Sequence, residues 1–169
     1  MKILYGVQGT GNGHISRARA IGPRLEAAGA DVSYLFSGRA AENYFDMEKF
    51  GNWQCKQGMS LVAENGKVKI LATAKRNNPL TLWREINSLA LNEFDLVISD
   101  FEPITAWAAR RQKVPSLAVG HQYAFQYPIP QTGDSLASRM LMKYFAPAMY
   151  SSDCTGTISI NPFYRQSAT

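Results

Sequence analysis

Cysteine is scarce in this chain of 169 residues: Cys55 and Cys154 are the only two. They lie far apart and in no CxxC or Cys/His ligand spacing, so neither a disulfide framework nor a zinc site is implied and a reducing compartment is favoured. Long apolar runs are missing as well. No stretch approaches the roughly 18 residues of a membrane span. The opening "MKILYGVQG" leads from a strand into glycines instead of through a signal-peptide core. A cytoplasmic location is the expectation. Runs of basic residues are also lacking. The formal charge is +5, yet the 18 Lys and Arg are scattered, which argues against a nucleic-acid arm and leaves a leaning towards anionic ligands.

What is present suffices for one domain with a substantial core, since 46% of the residues are hydrophobic. Residues 2–8, 31–37, 53–58, 95–99, 116–120 and 156–160 read as short apolar or β-branched runs, the candidate strands. Between the first two, Ile15, Ala18, Ile21, Gly22 and Leu25 recur at helical spacing up to Gly29, with a kink expected near Gly22 because Pro23 interrupts the pattern. Further helices are expected from Pro79 to Asn92, on Leu82, Ile86 and Leu89, and from Pro103 to Lys113, on Ile104, Trp107 and Ala108. "LVAENGKVKIL" alternates around Asn65-Gly66 and predicts an inserted hairpin. "SLASRMLMKYFAPAMY" predicts a fifth helix, broken near Pro147. Strands separated by helices favour parallel pairing. The expected fold is therefore α/β: a Rossmann-like doubly wound, mainly parallel sheet with an inserted β-hairpin. In such sheets ligands collect beyond the carboxyl ends of the strands, where strand order reverses.

The unusual residues fall at that edge. "GVQGTGNGHISRAR" follows the first strand and "SDFEP" the strand at 95–99. The common 3-2-1-4-5 order would bring Gly9–Gly13 and Asp100 face to face. Gly9, Gly11 and Gly13, with Thr10 and Asn12 between them, allow close backbone approach, and the amides at the following helix start suit a phosphate or diphosphate. The plainer reading is a tight turn without a ligand. The run is no P-loop, because no Lys-Ser or Lys-Thr follows the last glycine. A histidine also stands where a dinucleotide fingerprint needs its third glycine or alanine. The second strand ends "LFSGR", so Ser37 and Arg39 keep an NADP phosphate open as an alternative. His14 either caps the helix or serves as a general base, its neutral form favoured at a helix N-terminus. Asp100 either orients that imidazole, as in hydrolase triads, or caps the helix that begins at Pro103. Arg17, one turn beyond His14, shares its face and is either an anion contact or a solvated charge. His121 and Gln122 open "HQYAFQYPIPQ", whose aromatics would line a sugar or lipid acceptor groove or simply pack a long loop. Met140, Leu141, Tyr144 and Phe145, beside Arg139 and Lys143, form either a peripheral membrane contact or core packing.

These segments resemble glycosyltransferases of the GT-B fold, in particular the group that adds N-acetylglucosamine to the lipid-linked peptidoglycan precursor. "GTGNGHISRARAI" is similar to that group's G-G-T-G-G-H segment, and "DLVISDFEPITAWAARRQKVPSLAV" to its second N-terminal block. The likeness runs from Met1 to about His121, and departs at Gln8, Asn12 and the Pro23 break. It implies that residues 1–169 are an N-terminal acceptor-binding domain, with the donor held by a second Rossmann-like half outside this chain, so that the fragment alone is inactive. It implies an inverting, metal-independent transfer from a nucleotide sugar of the UDP-sugar type, used as substrate with no cofactor. His14 matches the histidine assigned as base towards the acceptor hydroxyl, Asp100 its acidic partner, and Gly9, Gly11 and Gly13 the loop that approaches the acceptor. Two other readings stay open: an NADP-binding domain of an oxidoreductase, and a non-catalytic sugar or polyprenyl-phosphate binding module.

Overall fold

The computed structural model describes residues 1–60, 62–64, 67–68, 70–120, 144–152 and 158–160. The main sheet is built from β1 (Lys2–Gln8), β2 (Asp31–Ser37), β3 (Gln54–Lys56), β6 (Leu96–Asp100), β7 (Ser116–Val119), β8 (Tyr150–Ser152) and β9 (Ile158–Ile160). Their order is β3-β2-β1-β6-β7-β8-β9. Neighbours pair in parallel except β8 and β9, which are antiparallel. Strand order thus reverses between β1 and β6, as the doubly wound pattern requires. The helices are α1 (Asn12–Ala27), α2 (Ile70–Arg76), α3 (Pro79–Ser88) and α4 (Pro103–Gln112). The inserted hairpin is present, β4 (Ala63–Glu64) pairing antiparallel with β5 (Lys67–Val68), while Asn65 and Gly66 lie outside the described residues.

β1 is buried from Ile3 to Gln8 because helices cover both faces of the sheet. On one face Ile3, Tyr5 and Val7 pack with Ile98 of β6, Tyr34 and Phe36 of β2, and Ile15 and Ala18 of α1. On the other, Leu4, Leu35 and Val97 pack with Ile104, Ala108 and Ala109 of α4 and with Leu82 and Ile86 of α3. Helix α4 crosses β1 closely. A Cβ on Gly6 would run into the Thr105 side chain, so this central strand carries a glycine where a larger residue would push the helix away.

Several local expectations need correction. Helix α3 ends at Ser88 instead of Asn92. Leu89 and Leu91 beyond it are buried, with Gln112 of α4 binding the Leu89 carbonyl at 2.7 Å and the Leu91 amide at 3.0 Å. Pro23, beside which the kink is expected, lies within α1 and does not end the helix. Of the expected fifth helix, residues 135–143 lie outside the described residues; Tyr144 and Phe145 are helical, and by Tyr150 the chain is already in β8. Among the described residues no helix is long and apolar enough to cross a membrane.

Candidate active site

The reversal point gathers the predicted residues. In the β1–β6 register Val7 stands opposite Asp100, the last residue of β6. Side chains alternate across a strand, so Asp100 shares a face with Ile98 and points beneath α1. His14 lies in the first turn of α1 and Arg17 one turn on. Both reach down to the same carboxylate oxygen: His14 Nδ1 lies 2.6 Å and Arg17 Nη1 2.5 Å from Asp100 Oδ1. The Asp100 side chain is fully buried, while those of His14 and Arg17 are 13% and 26% exposed. The carboxylate is therefore a floor beneath a partly exposed imidazole and guanidinium. Asp100 Oδ2 and the Tyr5 hydroxyl are buried and accept or donate no hydrogen bond among the described residues. Burial first, and then the Asp100 charge, pushes the Tyr5 phenol far up, so it stays protonated beneath the site.

Helix α4 is capped by Glu102 and not by Asp100. Its Oε1 accepts from the Ile104 amide at 2.9 Å and from Ser37 Oγ at 2.6 Å. Its Oε2 accepts from the Thr105 amide at 2.6 Å and Thr105 Oγ1 at 2.7 Å. Burial pushes the Glu102 carboxyl up, and these four donors pull it down. Between the two acids Phe101 takes a left-handed backbone, φ 55°, at a cost of about 1–2 kcal/mol for a residue with a Cβ. That reversal sends Asp100 to the α1 side and Glu102 to the α4 side. The Phe101 ring stacks near His14, 6.5 Å between centroids, and on Phe145 at 4.7 Å. The sequence reading missed Glu102 and Phe101; the one available signal was an acid immediately before Pro103, the position of an N-cap.

The glycines divide. Gly9 is buried, its amide donates to the Ser37 carbonyl at 2.7 Å, and the Tyr44 ring occupies the space a Cβ would need. Gly9 is thus a glycine whose missing Cβ makes room for Tyr44. Gly11 is the N-cap of α1, with no side-chain cap and no acid in the first turn. Gly13 has open space around its Cβ position. Exposed Gly11, Asn12 and Gly13 thus present an uncapped helix start suited to an anion. Thr10 Oγ1 accepts from Gln8 Nε2 at 2.8 Å, and Asn12 Oδ1 from Arg39 Nη2 at 3.1 Å.

His121 and Gln122 lie outside the described residues, as do Met140, Leu141, Arg139 and Lys143. Phe145 is core, buried against Phe101, while Tyr144 is exposed. Ser37 is fully buried and its hydroxyl donates to Glu102, so it is not presented to an NADP phosphate.

The family described as Glycosyl transferase family 1 matches residues 1–167. Two curated relatives, each described as an uncharacterized glycosyltransferase, come from methanogens. The one from Methanosarcina acetivorans is 30% identical over 157 residues, which cover 90% of this chain and 40% of the relative. The one from Methanosarcina mazei is 28% identical over 127 residues, 73% of this chain and 34% of the relative. The chain spans less than half the length of either. Among solved structures it is similar to Acinetobacter baumannii MurG, with 16% identity and a TM-score of 0.49 over 90% of this chain and 41% of that one.

Proposed function

The chain belongs to glycosyl transferase family 1, and from that premise we propose that it is the acceptor-binding half of an inverting glycosyltransferase with His14 as general base. The observation that carries this reading is the His14–Asp100 pair, 2.6 Å apart at the strand-order reversal. A carboxylate at Nδ1 selects the tautomer protonated there, so the ring's lone pair lies on Nε2. In the proposed step Nε2 takes the acceptor hydroxyl proton as that oxygen attacks the anomeric carbon of a nucleotide sugar. The bond from the anomeric carbon to the diphosphate breaks, the leaving diphosphate keeps the electron pair, and the sugar changes configuration. Asp100 then stabilises the imidazolium through the same hydrogen bond. Arg17 shares Oδ1 and helps to hold the carboxylate beneath the ring. The donor, of the UDP-sugar class, belongs to a part of the enzyme beyond these residues, matching the length by which the relatives exceed this chain.

The test is turnover by His14→Ala in the protein that carries its donor half. Loss of base catalysis lowers kcat by about 10²–10⁴-fold. Near-wild-type turnover removes the base assignment.

A further inference from the structure

A cleft of about 650 Å³ opens beyond the carboxyl ends of β2 and β3, on the other side of the glycine loop from the Asp100 floor. Thr10 of that loop forms part of its wall, and so do Arg39 after β2, Lys56 at the end of β3 and Arg76 at the end of α2. None of its lining residues is acidic. Among the described residues, none of the three cations forms a salt bridge with a carboxylate. The carboxylates whose charge is felt at Cys55 in the wall are Glu42 and Glu85. Glu85 is already engaged, accepting the Gln57 and Gly58 amides at 2.7 and 2.9 Å. The wall is held in place: Asn77, next to Arg76, accepts the Ser60 amide at 2.7 Å and donates to the Ser60 carbonyl at 2.9 Å. Arg39 is fixed from the loop side by the Asn12 side chain at 3.1 Å and the Thr10 carbonyl at 3.4 Å.

Cations that share one cleft and form no salt bridge repel one another and concentrate a positive field, and an anion relieves both. We infer that this cleft binds the phosphoryl group of a small phosphorylated acceptor, of the class of a sugar monophosphate. The inference rests on the assignment of the acceptor to this half of the enzyme. A phosphate monoester carries close to two negative charges at neutral pH and three terminal oxygens, which suits Arg39, Lys56 and Arg76 better than a single carboxylate does. The volume exceeds the needs of a bare ion and lies within the range of small-molecule sites, about 300–1,000 Å³. With the phosphoryl group held there, the remainder of the acceptor extends along the loop that leads from Thr10 to His14.

Glucose 6-phosphate is the probe, titrated calorimetrically onto the chain at low ionic strength, with glucose, glucuronate and UDP in parallel. Glucose 6-phosphate is expected to bind at least about tenfold more tightly than glucose or glucuronate, and to weaken as salt rises. The Lys56→Gln, Arg76→Gln double variant is expected to lose about tenfold or more in that affinity while keeping the wild-type melting temperature. Equal affinity for glucose and its phosphate overturns the inference, as does a folded double variant that binds unchanged. The ligand series on the unaltered chain decides between these outcomes even if the double variant does not fold. Tighter binding of UDP, lost with the same substitutions, would assign the cleft to a donor instead and overturn the acceptor claim. His14→Ala separates the two proposals: His14 does not line the cleft, so the variant should keep the preference for glucose 6-phosphate over glucose, and one that also keeps its turnover sinks the base while the phosphoryl result stands.

Discussion

Two fully buried carboxylates flank Phe101, and they are treated in opposite ways. On the α4 side Glu102 receives four hydrogen bonds, two to each oxygen, from donors that are themselves buried. On the α1 side Asp100 has one oxygen shared by an imidazole and a guanidinium and a second to which no described residue donates a hydrogen bond. The first arrangement is closed: every acceptor position points inward and the gain is the joining of α4 to β2. The second is open, because its partners are partly exposed side chains whose other faces turn to solvent. Saturation by buried amides and hydroxyls suits a structural acid, and incomplete saturation by titratable side chains is what the proposed role of Asp100 requires.

Asp100→Asn tests the working side and carries the largest expected effect. The amide keeps the shape but loses the charge that pairs with His14 and Arg17, so kcat per folded molecule should fall by about 10²–10⁴-fold, beyond any accompanying loss of stability. A drop in stability with unaltered turnover of the folded protein would make Asp100 as structural as Glu102 and erase the contrast. Glu102→Ala tests the other side. It strands two amides and two hydroxyls in the core, and at about 1 kcal/mol or more for each unpaired group urea denaturation should show a loss of roughly 3–5 kcal/mol. Turnover per folded molecule should change far less than in Asp100→Asn.

The contrast also shows where a sequence is legible. The β1–α1 unit reads well because its strand is a continuous apolar run, its helix repeats at Ile15, Ala18 and Gly22, and glycines separate the two. The pairing of His14 with Asp100 follows from topology, since parallel strands in this order have neighbouring carboxyl ends. The division of labour between the two acids does not follow. It depends on the left-handed backbone of Phe101, a conformation that its side chain disfavours and that no pattern in the sequence announces. Strand β8, three residues reading "YSS", is too short and too polar to show a period. Helix α2 is seven residues long and adjoins a hairpin of alternating residues, so its own spacing is hidden.

The smallest effects sharpen the same division within the glycine loop. A Cβ at Gly9 meets the Tyr44 ring, which packs edge-on against Phe36 and Trp53 and has little freedom to retreat. Gly9→Ala should therefore cost about 1–3 kcal/mol, the usual penalty for overpacking, read as a lowered urea midpoint. Gly13 sits in the first turn of α1 with nothing near its Cβ position. Alanine there costs no contact and improves helix propensity by up to about 1 kcal/mol, so stability should hold or rise. If an acceptor lies over the helix start, that added methyl group stands in its path, and Gly13→Ala should raise the acceptor KM while Tm is kept. The pair of outcomes is what matters: a loss of stability at Gly9 with unchanged KM, and the reverse at Gly13, would place the boundary between scaffold and site within one five-residue loop.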